Sequence, residues 1–80
     1  MHVAVELSLY PLTGNFIPPI LDFIERLEAR PGLAVVTNSM STQVSGEFDA
    51  VFEALRAEIA VSLSGRERAV FVMKVLGGGD

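Results

Sequence analysis

The chain has 80 residues, which is room for one domain and too few for two. Half of the residues are hydrophobic and mean hydropathy is +0.45, so the chain carries more apolar surface than so small a domain readily buries. Six basic residues against ten acidic ones give a net charge of −4, which argues against a general phosphate-binding surface, and the absence of cysteine excludes disulfides, thiolate nucleophiles and cysteine-based metal sites.

Residues 3 to 10 alternate, with Val3, Val5, Leu7 and Leu9 against Ala4, Glu6, Ser8 and Tyr10. Period two predicts a strand with one buried face. Pro11 ends it, and Thr13-Gly14-Asn15 reads as a loop. Ile17, Ile20, Leu21, Ile24 and Leu27 then form a helical stripe, with Pro18 and Pro19 allowed only in the first turn. Arg30-Pro31-Gly32 stops that helix. Leu33 to Asn38 and Met40 to Ser45 read as two strands of a hairpin turning near Asn38-Ser39. A second helix is expected to open at Ser45-Gly46, with Glu47 and Asp49 in its first turn and a stripe of Phe48, Val51, Phe52, Leu55 and Ile59. Ser64 to Arg68 is a polar loop and Ala69 to Leu76 the last strand. Residues 1–76 are expected to form the single domain, with 77–80 as a flexible tail.

The order β-α-β-β-α-β implies an α+β, ferredoxin-like fold. Two helices cover one face of a four-stranded antiparallel sheet with strand order 4-1-3-2. That leaves Glu6, Ser8 and Tyr10, with Val70, Val72 and Lys74, on the open face, while Phe71, Met73 and Val75 meet the helices. Such a mixed face either pairs with another sheet or holds a ligand. No apolar run reaches the roughly 18 residues that a membrane span needs. No basic segment leads into a long apolar run at the start, so a cytoplasmic setting is expected.

His2 is the only histidine, at the start of the chain, and reads as a solvated side chain. Without a histidine base the serines and threonines make no catalytic triad, and the terminal glycines precede no helix that would cradle phosphate. An acylphosphatase would need an arginine after the first strand, where Pro11-Leu12-Thr13-Gly14 stands. An RNA-recognition sheet would need more than Tyr10 and Lys74. Glu6 and Lys74 read either as a solvated cross-strand pair or, for Glu6, as a carboxylate facing a ligand amine or cation. The polar run Thr37-Asn38-Ser39-Met40-Ser41-Thr42-Gln43 reads either as an ordinary edge hairpin or as a set of donors and acceptors for a heteroaromatic ring. In the second reading Met40 and Tyr10 add soft, flat contacts.

Three segments carry a resemblance: Leu7-Ser8-Leu9-Tyr10-Pro11-Leu12, Asn15-Phe16-Ile17-Pro18-Pro19-Ile20, and Thr37 through Glu47, which reads TNSMSTQVSGE. In these the chain resembles the YkoF-like thiamine/hydroxymethylpyrimidine-binding family over nearly its whole length. The resemblance implies a non-catalytic binder of thiamine or its pyrimidine moiety, acting in thiamine salvage or transport without a cofactor or metal. Family domains pair through their sheets, so this single copy would self-associate as a dimer or tetramer. Carried over, the implied ligand contacts are Tyr10, Asn38, Met40, Ser41 and Thr42, with Glu47 closing the motif. Glu6 and Ser8 join them from the open-face reading. Glu47 has the alternative of stabilising the start of the second helix. The rival functions are an oligomerising interaction domain without a ligand and a dimeric α+β-barrel enzyme.

Overall fold

The computed structural model describes residues 1–78; of the expected tail, Gly77 belongs to the last strand and residues 79–80 lie outside the described residues. Six elements follow in order: β1 (His2–Pro11), α1 (Ile17–Glu28), β2 (Ala34–Thr37), β3 (Thr42–Glu47), α2 (Phe48–Leu63) and β4 (Ala69–Gly77). The strands form one antiparallel sheet in the order β2-β3-β1-β4. This is the ferredoxin-like α+β arrangement. No helix among the described residues is long and apolar enough to cross a membrane.

β1 is the organising strand. Val3, Val5, Leu7 and Leu9 are all buried beneath the helices, while Glu6 and Tyr10 on the other face are exposed. Opposed residues of an antiparallel pair share a face. The pairs Glu6↔Gln43 and Glu6↔Lys74 therefore extend the open face to both sides, and Leu7↔Thr42 and Leu7↔Met73 extend the covered one. The expected sides for Phe71, Met73 and Val75 hold, but the helices do not reach the end of β4, and half of Val75 is exposed.

Several boundaries differ from the sequence reading: β1 runs from His2 through Pro11, β2 is shortened to Ala34–Thr37, and the ends of β3, α2 and β4 shift as well. β3 starts at Thr42, not Met40, because the Asn38 side chain captures the amides of Met40 and Ser41 and holds them in a turn. β3 also runs on to Glu47, since Gly46 and Glu47 still pair with Val3 and His2, so α2 begins only at Phe48. Gly46 has φ 155°, and a Cβ there would stand 3.2 Å from the Gly32 carbonyl oxygen, so the close approach of the two chain segments needs glycine. β4 extends one residue further than expected, with Gly77 opposite Val3.

On α1 the buried residues are Phe23 and Leu27, with Ile20 packed beside them. Ile17 and Leu21, assigned to the buried stripe from the sequence, are half exposed. The inward face runs through positions 20, 23 and 27, and Phe23 packs on Phe71 with ring centroids 5.0 Å apart. On α2, Val51, Ala54 and Leu55 are buried, while Phe48 stays partly exposed against Phe52.

A charged cluster ties the helices together. Arg26 donates to Asp22, to the Glu58 carboxylate at 2.8 Å, to the Glu58 carbonyl and to the Ser62 hydroxyl. Arg30 donates to the other Glu58 oxygen at 2.9 Å. The hydrogen bond from Arg26 is the main reason that the Glu58 carboxyl is held below its ordinary value of 4.5, with Arg30 adding to it against the opposing effect of burial. A carboxyl with a depressed folded pKa stabilises the fold above its unfolded pKa, and the stabilisation is lost as pH falls through the folded value. Thermal unfolding across pH tests this. We expect Glu58→Gln to lose about 2 kcal/mol at neutral pH. The gap between variant and wild type should close as pH falls below 4.5.

Candidate functional site: a notch at the start of β3

β1 pairs with β4 from Val3↔Gly77 through Pro11↔Ala69, but with β3 only as far as Leu7↔Thr42. From Ser8 onward, the β3-facing edge of β1 has no strand beside it. The loop of residues 38–41 stands across this gap. The result is a notch in the sheet, with polar backbone on one side and a hairpin tip on the other.

The hairpin tip is built by one side chain. Asn38 Oδ1 accepts hydrogen bonds from the Met40 amide at 2.8 Å and the Ser41 amide at 3.0 Å, while the Asn38 amide donates to the Ser41 carbonyl at 3.1 Å. Two backbone donors require an oxygen at that position, which fixes the orientation of the side-chain amide. The Asn38 NH₂ is then left outside the hydrogen bonds of the turn.

On the open face the loop leans over β1. Ser8 donates to the Met40 carbonyl at 3.4 Å, and Ser41 donates to Glu6 Oε2 at 3.3 Å, both long contacts. Glu6 Oε1 lies 3.8 Å from the Lys74 ammonium in a solvated cross-strand pair. Glu6, Ser8, Asn38, Ser39, Met40 and Ser41 line a concavity of about 320 Å³. A narrower recess of about 160 Å³ runs from the same loop past Tyr10 toward Ile20, Phe23 and Ile24. Tyr10 and Met40 are exposed on its margins, Met40 at 86%. Six of the eight candidate residues thus gather at the notch: Glu6, Ser8, Tyr10, Asn38, Met40 and Ser41.

Thr42 and Glu47 stand differently. Thr42 is buried, opposite Leu7 on the covered side, and its hydroxyl lies 3.2 Å from that of Thr37. It borders the narrow recess but not the open concavity. Glu47 sits five residues further along β3, roughly 17 Å away at ordinary strand rise. It is the residue preceding α2, yet its side chain makes no cap hydrogen bond to that helix. Its carboxylate instead accepts from the Met1 ammonium at 2.9 Å, and that hydrogen bond holds its pKa below the ordinary range. His2 lies exposed opposite it. The sequence reading missed Ser39, a lining residue inside the quoted motif, and the recess floor of Ile20, Phe23 and Ile24: the helical stripe took Ile20 and Ile24 only as packing and left Phe23 out.

The sequence matches the model of the YKOF-related family over residues 2–74. The chain belongs to that family. Solved structures agree in fold. A hypothetical protein of Methanocaldococcus jannascii is 26% identical with a TM-score of 0.83, over 99% of this chain and 82% of that one. A Thermotoga maritima protein provisionally assigned to thiamine biosynthesis/salvage is 18% identical with a TM-score of 0.82, over 94% of this chain and 82% of its own. A Streptococcus pneumoniae protein is 19% identical with a TM-score of 0.79, covering 99% and 89%. Among curated proteins none matches the sequence.

The Asn38 turn generates a test by amide exchange. Asn38→Ala should speed exchange at Met40 and Ser41 by on the order of tenfold while global stability drops by less than about 1 kcal/mol. Asn38→Asp keeps the acceptor and should keep the protection.

Proposed function

We propose that this protein binds thiamine or its hydroxymethylpyrimidine moiety at the β3 notch, without catalysis, as a cytosolic member of thiamine salvage or transport. The observation that carries the reading is the grouping of one carboxylate, three hydroxyls and one free amide around a concavity of about 320 Å³. An aminopyrimidine needs a donor for a ring nitrogen and an acceptor for its exocyclic amine. The Asn38 NH₂ supplies the first, and Ser41 Oγ or Glu6 the second. Glu6, held only by a long hydroxyl contact and a loose pair with Lys74, is free to turn toward the thiazolium cation. Met40 and Tyr10 offer a thioether and a ring to the flat faces. Thr42 contributes by anchoring the hairpin through Thr37. Family membership supports the reading, and the name of the Thermotoga relative points the same way.

The open face also suits pairing with a second copy. Its polar centre of Glu6, Ser8, Gln43 and Ser45 is flanked by Val36 on one side and by Val70, Val72 and Leu76 on the other, all four largely exposed. Two such faces brought together bury the apolar flanks and enclose the polar centre.

Isothermal titration tests the site. Thiamine should bind saturably near one per chain. Glu6→Gln should weaken thiamine about tenfold, the equivalent of ~1.4 kcal/mol, and affect neutral hydroxymethylpyrimidine much less. An equal loss for both ligands would contradict the placement of the cation at Glu6. No heat with either ligand, from a folded oligomer, would leave an assembly domain instead.

A further inference from the structure

We infer that the cavity between loop 64–68 and the start of α1 binds a phosphate monoester carried on a small apolar body. This cavity, of about 290 Å³, lies where Pro11 of β1 pairs with Ala69 of β4. It is separate from the notch, because α1 stands between the two. Ile20, Phe23 and Ile24 border the recess, whereas Pro19, Asp22 and Arg26 line the cavity, and Leu9 alone borders both.

The charge of the cavity runs against that of the chain. Three of the six basic residues line it, Arg26, Arg66 and Arg68, but only two of the ten acidic ones, Asp22 and Glu67. A chain with a net charge of −4 therefore places net positive charge around one concave wall, which concentrates the field there. The Asp22 carboxylate is engaged by Arg26 Nε at 3.0 Å. Among the described residues neither Arg66 nor Arg68 has an ion pair, with Glu67 or any other acid.

The polar lining is rich in donors that lack acceptors. A guanidinium has five N–H groups. Arg26 spends four of them, on Asp22, twice on Glu58 and on the Ser62 hydroxyl, and one Nη2–H is left over. Ser62 accepts from Arg26 at 2.7 Å, and its own O–H has no acceptor among the described residues. The Arg66 and Arg68 side chains add two whole guanidiniums. Their loop is held at both ends, by the Leu12 amide donating to the Arg68 carbonyl at 2.8 Å and by Ser64 capping α2. The carbonyl end of α2 does not repel an anion here, since the Val61 carbonyl already accepts from the Ser64 amide and hydroxyl at 3.3 and 2.7 Å.

Unmatched donors beside unpaired cations call for a charged group rich in acceptors, and planar guanidiniums grip phosphate oxygens in pairs. Two free guanidiniums match the charge of nearly two that a phosphate monoester carries at neutral pH. The other walls, among them Leu9, Pro11, Val61 and Ala69, are apolar and receive the body of the ligand.

Phenyl phosphate is the probe, followed by backbone amide shifts of the full protein up to about 10 mM ligand. Saturable shifts are expected at Thr13 and residues 62–68, with the notch unmoved. Arg66→Ala and Arg68→Ala should each weaken binding about tenfold. Gly65→Glu sets an acid on the cavity wall, and it should abolish binding while circular dichroism stays unchanged. The fold tolerates that side chain, since a Cβ at Gly65 meets nothing within 4 Å and its φ is not positive. Benzoate, with the same ring and one charge, should bind about tenfold more weakly or worse. Shifts in phenyl phosphate that fail to saturate, or wild-type affinity in both arginine variants, would overturn the site. Equal binding of benzoate would overturn the phosphate assignment. None of these results depends on thiamine, so this site and the notch fail separately.

Discussion

Much of the structure depends on the unequal length of the two ladders that β1 makes. Its alternation commits Val3, Val5, Leu7 and Leu9 to the core, and that fixes which side chains face away. β4 follows it to Pro11, but β3 leaves it at Leu7. The difference opens the notch, brings loop 38–41 over Glu6 and Ser8, and continues as a recess toward α1. A hairpin whose strands paired four residues further would fill the same space with backbone.

What shortens that hairpin is local chemistry. The Asn38 carbonyl oxygen bonds two successive amides that would otherwise begin the ladder, the usual competition between short polar side chains and regular structure. The Thr37–Thr42 hydroxyl contact closes the last ladder pair below it. The loop is therefore a built feature, and its exposed amide and hydroxyls stand on a defined support. At the opposite layer, Arg26, Arg30 and Glu58 hold α1 to α2, so the notch is framed by a helix that is itself fixed.

The fold was legible because its signals are periodic. The alternation on β1, the two helical stripes and the turn residues between them yield the element order and the side of each strand. Boundaries were less so, since Gly46 and Glu47 look like a helix start until Val3 and His2 pair with them. The α1 face was misread because Leu21 is as apolar as Phe23, and only the position of Phe71 decides between them. Within the motif, alternation already separates Thr42 from Ser41, but a contiguous string of polar residues hides that they face opposite ways. Glu47 belongs to the same string and to the other end of the sheet, where the chain's own ammonium takes its charge.

The central claim is that the notch receives the ligand. Backbone and side-chain NMR shifts recorded during a thiamine titration test it most directly, because they locate binding without altering a residue. The account predicts saturable shifts confined to Glu6, Ser8, Tyr10 and residues 38–41, with Glu47 and the Arg26–Glu58 cluster unmoved. Shifts centred on any other surface, or none at saturating thiamine, would contradict it.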